Sequence, residues 1–303
     1  MQAHAMIPVV LLFVASTAAQ APEATSLLGK PLVPSPQSEP QRQRNEENLA
    51  AAKAAYDKDP ASAEAIIWLG RRTAYLGRFR DAIAIFSQGI DRHPGDPRMF
   101  RHRGHRYITV RELDRAVADL SRAAALIKSR PDEVEPDGQP NARNIPTSTL
   151  NSNIYYHLGL AHYLKGEFDA ALNAYRECLR FSKNTDMLVA TTHWLYMTLR
   201  RLDRRDEAAT VLGPISTDMD IIENASYHKL LMLYKGTETE NRLMTSASGL
   251  DAVTIGYGVG NWHYYNGRRD QARKLFATIV DAHAREWPAF GYVASEAELA
   301  RNR

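Results

Sequence analysis

The sequence repeats a short pattern at a fixed spacing of 34 residues. Gly70 recurs as Gly104, and Ala82, twelve residues after the first glycine, recurs as Ala116. A large apolar residue follows each alanine by four positions, as Phe86 does in the first copy. A period of this length is typical of proteins built by stacking one structural unit. The chain is therefore expected to grow by addition of similar units rather than around one central core.

The small residues of each unit indicate that it is helical. Three further copies keep the spacing, with Tyr in place of Gly in one of them: Gly159, Ala171 and Tyr175; Tyr196, Ala208 and Leu212; Gly260, Ala272 and Phe276. Two antiparallel helices can approach closely where a Gly faces an Ala, and the bulky residue one turn later fills the space above them. Each unit is therefore predicted to be a pair of antiparallel amphipathic helices.

These units resemble the tetratricopeptide repeat (TPR), a 34-residue unit with the pattern W-x2-L-G-x2-Y, then A-x3-F, then P. The residues that carry the resemblance are Leu69, Gly70, Ala82, Phe86 and Pro94 in one copy and Leu158, Gly159, Ala171 and Tyr175 in another. The resemblance covers roughly residues 43–303. It implies an all-α, right-handed superhelical solenoid of antiparallel helix pairs. It also implies a concave groove that binds a peptide or a protein segment.

The sequence also predicts where the repeats begin and end along the chain. Repeats are predicted near residues 63–96, 97–128, 151–185, 186–220, 221–250 and 251–286, within a solenoid that spans residues 45–303. A single helix at 287–303, with Glu296, Glu298 and Arg301 on its outer side, is expected to cap the stack.

Residues 129–150 contain four prolines and interrupt the repeats as an inserted loop. That loop is expected either to be ordered along the groove or the repeat edge or to be a floppy surface excursion, and direct contact with a ligand is a third alternative.

The N-terminal residues have the layout of a secretory signal. Residues 7–15 are an uncharged apolar run, and small residues follow, so residues 1–19 are predicted to be a signal peptide cut near Ala19. The run is too short to span a bilayer, and no transmembrane span is expected. The protein is therefore expected to be exported, to a periplasm or to the exterior. Residues 20–44 contain five prolines and are predicted to be a disordered linker.

Several kinds of chemistry find no support in the sequence. The formal net charge of +3 gives no reason to expect nucleic-acid binding. Cys178 is the single cysteine, and it is predicted to be a buried small hydrophobe, with a reactive thiol or an intermolecular disulfide as the alternative. His102 and His105 lie three residues apart, but a solvated basic helix is favoured over a metal site because no further ligand joins them. No hydrolase or metal motif is present, so neither a cofactor nor enzymatic activity is predicted.

A stripe of Tyr, Arg and His side chains marks the predicted binding face. In the second full repeat Phe100, Gly104 and Tyr107 face the paired helix, and the stripe displaced by one residue faces the groove. Carried along the chain, the stripe comprises Arg71, Arg101, His105, Tyr156, Tyr163, His193, Met197, Arg200, Tyr257, Asn261 and Tyr264. Tyr and Arg dominate binding hot spots, and the basic side chains favour an acidic or carboxylate-bearing partner segment. The alternative is that these residues hold the inserted loop.

The sequence thus favours an exported, TPR-like interaction module whose ligand is a protein or peptide segment. A structural or assembly subunit of an exported or envelope complex is the alternative function. An enzyme with a site built across repeats is less favoured.

Overall fold

A computed structural model describes residues 21–301 of the chain. The predicted signal peptide lies outside the described residues. These residues form one two-stranded antiparallel hairpin, fourteen α-helices and a short 3₁₀ turn. The elements are β1 (Ala24–Thr25), β2 (Pro31–Leu32), α1 (Glu39–Lys58), α2 (Ala63–Tyr75), α3 (Phe79–Arg92), α4 (Pro97–Thr109), α5 (Leu113–Ile127), α6 (Leu150–Lys165), α7 (Phe168–Phe181), α8 (Thr185–Arg201), α9 (Arg205–Val211), α10 (Ala225–Lys235), α11 (Glu240–Ser246), α12 (Gly249–Tyr265), α13 (Arg269–Ala282), the 3₁₀ turn (Ala284–Glu286) and α14 (Phe290–Arg301). None of the described helices is both long and apolar enough to cross a membrane.

Consecutive helices pack as antiparallel pairs, which confirms the predicted all-α fold. The closest approaches occur where the repeat pattern has its glycine. A Cβ atom added to Gly70 would lie 2.5 Å from the Phe86 ring, and one added to Gly159 would lie 2.7 Å from the Tyr175 ring. Contacts that short do not occur for real Cβ atoms, so glycine at these positions sets the distance between the paired helices.

The turn inside each helix pair requires a residue in the left-handed region. Gly77 (φ +78°) and Gly166 (φ +81°) occupy that position in two pairs. Arg111 occupies it in the pair between them, with φ of 66°, and Asp203 does so in a later pair, with φ of 56°. A residue with a Cβ atom in this conformation costs roughly 1–2 kcal/mol. The Arg111 side chain offsets part of that cost through the contacts that it makes with α14.

The prediction of a disordered linker over residues 20–44 is wrong for the residues that the structure describes. β1 and β2 form a hairpin, and α1 already begins at Glu39. The segment is fastened to the C-terminal elements, because Leu27 N donates to Glu296 Oε2 (3.3 Å) and Trp287 Nε1 donates to Val33 O (2.7 Å). These bonds satisfy backbone groups that a tether would leave to water, and the prolines reduce the entropy lost on ordering.

The predicted terminal cap is also wrong in its orientation. Glu296 and Glu298 were expected on the outer side of the last helix, yet they are 0% and 1% exposed. α14 packs against α13 and α12 and also contacts α6, so that its acidic residues point into the protein. Glu296 pairs with Arg111 (3.0 Å) and Glu298 pairs with Arg201 (2.7 Å).

The inserted loop over residues 129–150 is ordered, in agreement with the first of the three alternatives. Its two ends form an antiparallel bridge at Val134 and Thr149, flanked by a hydrogen bond from Leu150 N to Glu133 O of 2.8 Å. The distal part is held by an ion pair of 2.6 Å between Arg143 and Asp220 in the segment before α10. The loop therefore connects the first repeats with the middle of the chain.

Candidate functional site

The predicted stripe lies on the inner face of the helix pairs, where the chain itself covers most of it. Eight of its eleven residues are buried, and the partly exposed ones are His105, Arg200 and Tyr264. Three segments provide the cover: the inserted loop, α14 and α10. Of the openings that remain beside the covered parts, two are each lined by more than one residue of the stripe.

The inserted loop covers the first part of the stripe. Arg71 Nη2 donates to Pro136 O at 2.8 Å, and Arg101 Nε lies 3.0 Å from the Glu135 carboxylate. The Arg101 and Glu135 side chains are each 9% exposed. Residues 132–137 are the acidic part of this loop, so the basic stripe here holds an acidic segment of the same chain.

The C-terminal helix covers the second part. Phe290, the first residue of α14, places its ring centroid 5.5 Å from that of His105 and 6.3 Å from that of Tyr156. His157 lies between them, with its centroid 4.3 Å from that of His105. Burial lowers the pKa of both histidines well below 6.5, and the positive charge of Arg106 lowers it further, so both rings are neutral at pH 7.

In the third part of the stripe, the side chains form hydrogen bonds with one another and are buried. Tyr257 Oη and Asn261 Nδ2 each donate to Tyr163 Oη at 2.9 Å. Burial raises the pKa of Tyr163 to about 12, so the phenol stays protonated. Arg201 donates to Asn261 Oδ1 at 3.2 Å and forms its ion pair with Glu298, which ties this cluster to α14. These side chains stabilise the fold and leave no surface for a partner.

α10 covers the fourth part. His193 stacks against Tyr227 with a centroid distance of 4.6 Å and against Tyr234 at 5.8 Å. Burial lowers the pKa of His193 to about 3. Met197 beside it is 0% exposed. Of the stripe residues in this half, Arg200 and Tyr264 reach the surface, where they line the second opening.

The first opening is a cavity of about 230 Å³ between α2, α4 and the inserted loop, called here the loop-side cavity. Its charged lining residues are Arg71, Arg101, Arg106, Glu135, Asp137 and Glu223. Two of these carboxylates already have partners within the chain. Glu135 forms an ion pair with Arg101, and the exposed Glu223 accepts hydrogen bonds from Thr147 and Asn141. The cavity therefore combines three of the predicted stripe residues (Arg71, Arg101 and His105) with a guanidinium that the stripe did not include.

That guanidinium belongs to Arg106. Within residues 21–301 no carboxylate forms an ion pair with it, and its guanidinium carbon lies 5.4 Å from the centre of the Phe79 ring. Burial lowers the pKa of Arg106 to about 10, with Arg101 and Arg71 contributing in the same direction. The side chain remains charged at pH 7, so the inner wall of the cavity carries a positive charge without a counter-charge.

The helix pair with the best repeat spacing also matches a known family. A family model described as a tetratricopeptide repeat matches residues 152–185, which contain most of α6, all of α7 and the close contact of Gly159 with Tyr175. The chain therefore contains a tetratricopeptide repeat over these residues. Members of the TPR family are typically non-enzymatic scaffolds for protein–protein interaction.

Solved structures of other TPR proteins are similar to the chain at low identity. YrrB, described as a TPR protein with an unusual peptide-binding site, is 12% identical and has a TM-score of 0.45, over 80% of this chain and 96% of its own. A TPR protein from Parabacteroides merdae is 12% identical with a TM-score of 0.46, over 84% of this chain and 98% of its own. MamA is 19% identical with a TM-score of 0.43, over 58% and 91%. No curated protein matches the sequence. These similarities are too low to indicate what this TPR protein binds.

The predicted solvated basic helix is wrong, because the loop covers α4. His102 is 6% exposed, and its Nδ1 accepts from Arg101 Nη1 at 3.0 Å. Within the described residues no group of three or more His, Cys, Asp or Glu could hold a metal ion. Cys178 is buried, burial raises its pKa to about 12, and its thiol lies 3.3 Å from Ser152 O. The thiol therefore packs as a small hydrophobe in this TPR protein.

Sequence reasoning missed Arg106 and Glu135. The predicted stripe includes His105, whereas Arg106 lines the cavity from one residue further along α4. A signal was nevertheless present in charge complementarity, since the most basic first helix of the chain is followed by the acidic residues 132–137. Such complementarity can identify the covering segment, although it cannot show which arginine remains without a carboxylate.

Proposed function

We propose that this TPR protein is an exported interaction module whose loop-side cavity binds an acidic, extended segment of a partner protein. Arg106 is the observation that carries this proposal. Its side chain is partly buried, and a partly desolvated charge without a counter-charge is unfavourable, so a carboxylate that enters the cavity forms an ion pair and reduces that penalty. The guanidinium can bind a carboxylate through two parallel hydrogen bonds.

The chain's own acidic segment supports the choice of ligand. Residues 132–137 contain four carboxylates, and Glu135 lies against Arg101 and accepts a hydrogen bond from Asn153 Nδ2 at 3.1 Å. The segment runs without helix, apart from its bridge to Thr149. The inner face therefore already accommodates an extended acidic peptide, and the cavity beside it leaves room for a further acidic side chain near Arg106.

A titration with a fluorescein-labelled tetraglutamate peptide tests this function. The peptide should bind the wild-type protein, and Arg106→Gln should weaken binding about tenfold or more, because an ion pair with a charged partner is lost. Arg122→Gln is the matched control, since Arg122 is an exposed arginine of α5 outside the cavity. A tetraglutamine peptide should not bind.

Two outcomes would overturn the proposal. Equal weakening by Arg106→Gln and Arg122→Gln would show that net charge, rather than the cavity, attracts the peptide. Failure of the wild-type protein to bind tetraglutamate at low salt would show that the cavity does not take acidic segments. Circular dichroism and thermal melting of each variant show whether a loss of binding reflects a loss of structure.

The burial of the stripe favours a second candidate function, that of a structural or assembly subunit. Eight of the eleven stripe residues are used within the chain, so they are not free for a partner. In that case partner contacts would lie on the outer helices, and the peptide titration would show no binding.

The export component rests on the apolar residues 7–15 and the small residues that follow them. N-terminal sequencing of the protein made in its natural host should begin near Gln20. Retention of Met1 on the mature protein would contradict export by cleavage.

A further inference from the structure

The second opening lies where the turns after α8 and α12 meet. It is a surface cleft of about 480 Å³, called here the arginine cleft. Four arginines and two tyrosines provide most of its lining: Arg200, Arg201, Arg205, Arg269, Tyr264 and Tyr265. None of the described residues that line it is acidic. Its positive charge therefore depends on how far each arginine is neutralised from outside the cleft.

Two of the four arginines have carboxylate partners. Arg201 pairs with Glu298 at 2.7 Å, and both side chains are almost fully buried. Arg205 pairs with Asp203 at 2.7 Å, but both of these side chains are exposed, at 69% and 78%. Exposed pairs of this kind are weak and exchange readily with solvent. Arg201 is thus part of the fold, whereas Arg205 can turn to another anion.

The other two arginines have no carboxylate partner within residues 21–301. Arg200 donates to neutral acceptors, Tyr196 Oη and Asn266 Oδ1, each at 3.1 Å. Its Nε atom is buried without a hydrogen-bond partner. Arg269 has neither a hydrogen bond nor an ion pair from its side chain to any other described residue. Two guanidinium groups that face one cleft are therefore not neutralised.

Aromatic rings hold these groups in place. The Arg200 guanidinium carbon lies 4.4 Å from the centre of the Tyr265 ring. Tyr264 is contacted by Arg201 at 4.1 Å and by Arg269 at 5.4 Å. Stacking on aromatic rings limits the side-chain freedom of arginine, so less entropy is lost when a ligand binds.

We propose that the arginine cleft binds a phosphate group that carries two negative charges. A single carboxylate presents two oxygens and one charge, which one guanidinium can satisfy. A phosphate monoester presents three strong acceptor oxygens and a charge of about −1.5 to −2 at pH 7, so it can bond Arg200 and Arg269 together and attract Arg205. The site differs from the loop-side cavity in position, lining and ligand, and it does not depend on the function proposed there.

Isothermal titration of the full-length mature protein with inorganic phosphate tests the site. Arg269→Ala should weaken phosphate binding about tenfold or more, because it removes a guanidinium that contacts the ligand and has no other side-chain bond. Arg273→Ala is the matched control: it removes the same charge one turn later on α13, from an exposed residue outside the cleft. Acetate, which carries one charge, should bind at least tenfold more weakly than phosphate.

Each outcome decides the proposal. Phosphate binding that Arg269→Ala weakens and Arg273→Ala leaves within twofold supports the site. Equal effects of the two variants, equal affinity for acetate, or no phosphate binding at low salt would overturn it. Two further probes distinguish the sources of the phosphate group. Binding of a phosphoserine peptide supports the site and indicates a phosphorylated protein as the ligand. Binding of glycerol phosphate supports the site and indicates a small molecule. Failure of both contradicts it. Because Arg269 is exposed and its side chain makes no hydrogen bond or ion pair within residues 21–301, its variant should melt close to the wild-type temperature.

Discussion

The inner face of this protein contains two kinds of arginine, one fully buried and paired with a carboxylate, the other partly buried and without an ion pair in residues 21–301. Arg111 and Arg201 each meet a carboxylate of α14, at 3.0 Å and 2.7 Å, and their side chains are 2% and 5% exposed. Arg106, on the same face, forms no ion pair within residues 21–301, and its pKa is lowered to about 10. The paired arginines join distant parts of the chain, whereas the unpaired one borders an open cavity. Full burial together with a counter-charge marks the two structural arginines, and the proposed binding role falls to Arg106, which has neither.

The largest expected effect comes from breaking a paired arginine. Glu296→Gln should lower the free energy of unfolding by about 3–5 kcal/mol, because it leaves the Arg111 guanidinium buried without a counter-charge. Urea denaturation followed by circular dichroism measures the change. The double variant Arg111→Met with Glu296→Leu should recover most of the loss.

The exposed pair of Arg205 and Asp203 provides the control for that experiment. Asp203→Asn should change the free energy of unfolding by less than about 1 kcal/mol, as is usual for exposed ion pairs. A loss below about 1 kcal/mol for Glu296→Gln as well would mean that the contact with α14 does not stabilise the fold as described.

Lowering the pH should have an intermediate effect on the free energy of unfolding. The pKa of His193 is about 3 in the folded protein and about 6.5 when unfolded, so between these values the unfolded state binds more protons and acid destabilises the fold. This group alone should reduce the free energy of unfolding by about 1.4 kcal/mol for each pH unit below 6.5. Burial also lowers the pKa of His102, His105 and His157, so the total slope should be steeper.

Urea denaturation between pH 7 and pH 5 measures that slope. His193→Phe keeps an aromatic ring between Tyr227 and Tyr234 and should make the slope shallower by about one proton. An unchanged slope in this variant would show that His193 is not held neutral by its burial.

The smallest effect is expected at the unpaired arginine. Arg106→Gln should change the free energy of unfolding by less than about 1 kcal/mol, or increase it, because it removes a partly buried charge that has no ion pair within residues 21–301. Arg111→Gln, the same substitution at a paired residue, should cost about 3–5 kcal/mol. Similar losses for the two variants in parallel urea titrations would remove the distinction between the two kinds of arginine.

Local spacing was enough to predict the helix pairs. The positions of Gly159, Ala171 and Tyr175 determine which faces of α6 and α7 can meet, and the structure shows that contact at the expected place. The same register placed Arg71 and Arg101 on the inner face, because side-chain direction follows from helical periodicity. Whether the stripe binds a partner stays a prediction.

The segments that cover the inner face could not be predicted in this way. Extending the repeat period to residue 287 made α14 one more helix of the stack, but its position depends on Glu296, which meets Arg111 from 185 residues away along the chain. A contact at that separation has no periodic signal. One local anomaly did point to it: Arg111 stands where Gly77 and Gly166 provide the left-handed turn, and such a substitution requires a compensating contact.

The N-terminal hairpin and Arg111 both contact Glu296 of α14. These contacts affect how the protein unfolds. An open array of repeats behaves as a one-dimensional chain, in which units at either end fray independently. Here the N-terminal hairpin and the turn between α4 and α5 both contact α14, so fraying of either also breaks contacts of that helix. Unfolding should then be cooperative over these elements. These contacts also set an order of assembly: α14 is synthesised after the repeats, so until it docks the early repeats carry the Arg111 charge without its counter-ion and are less stable.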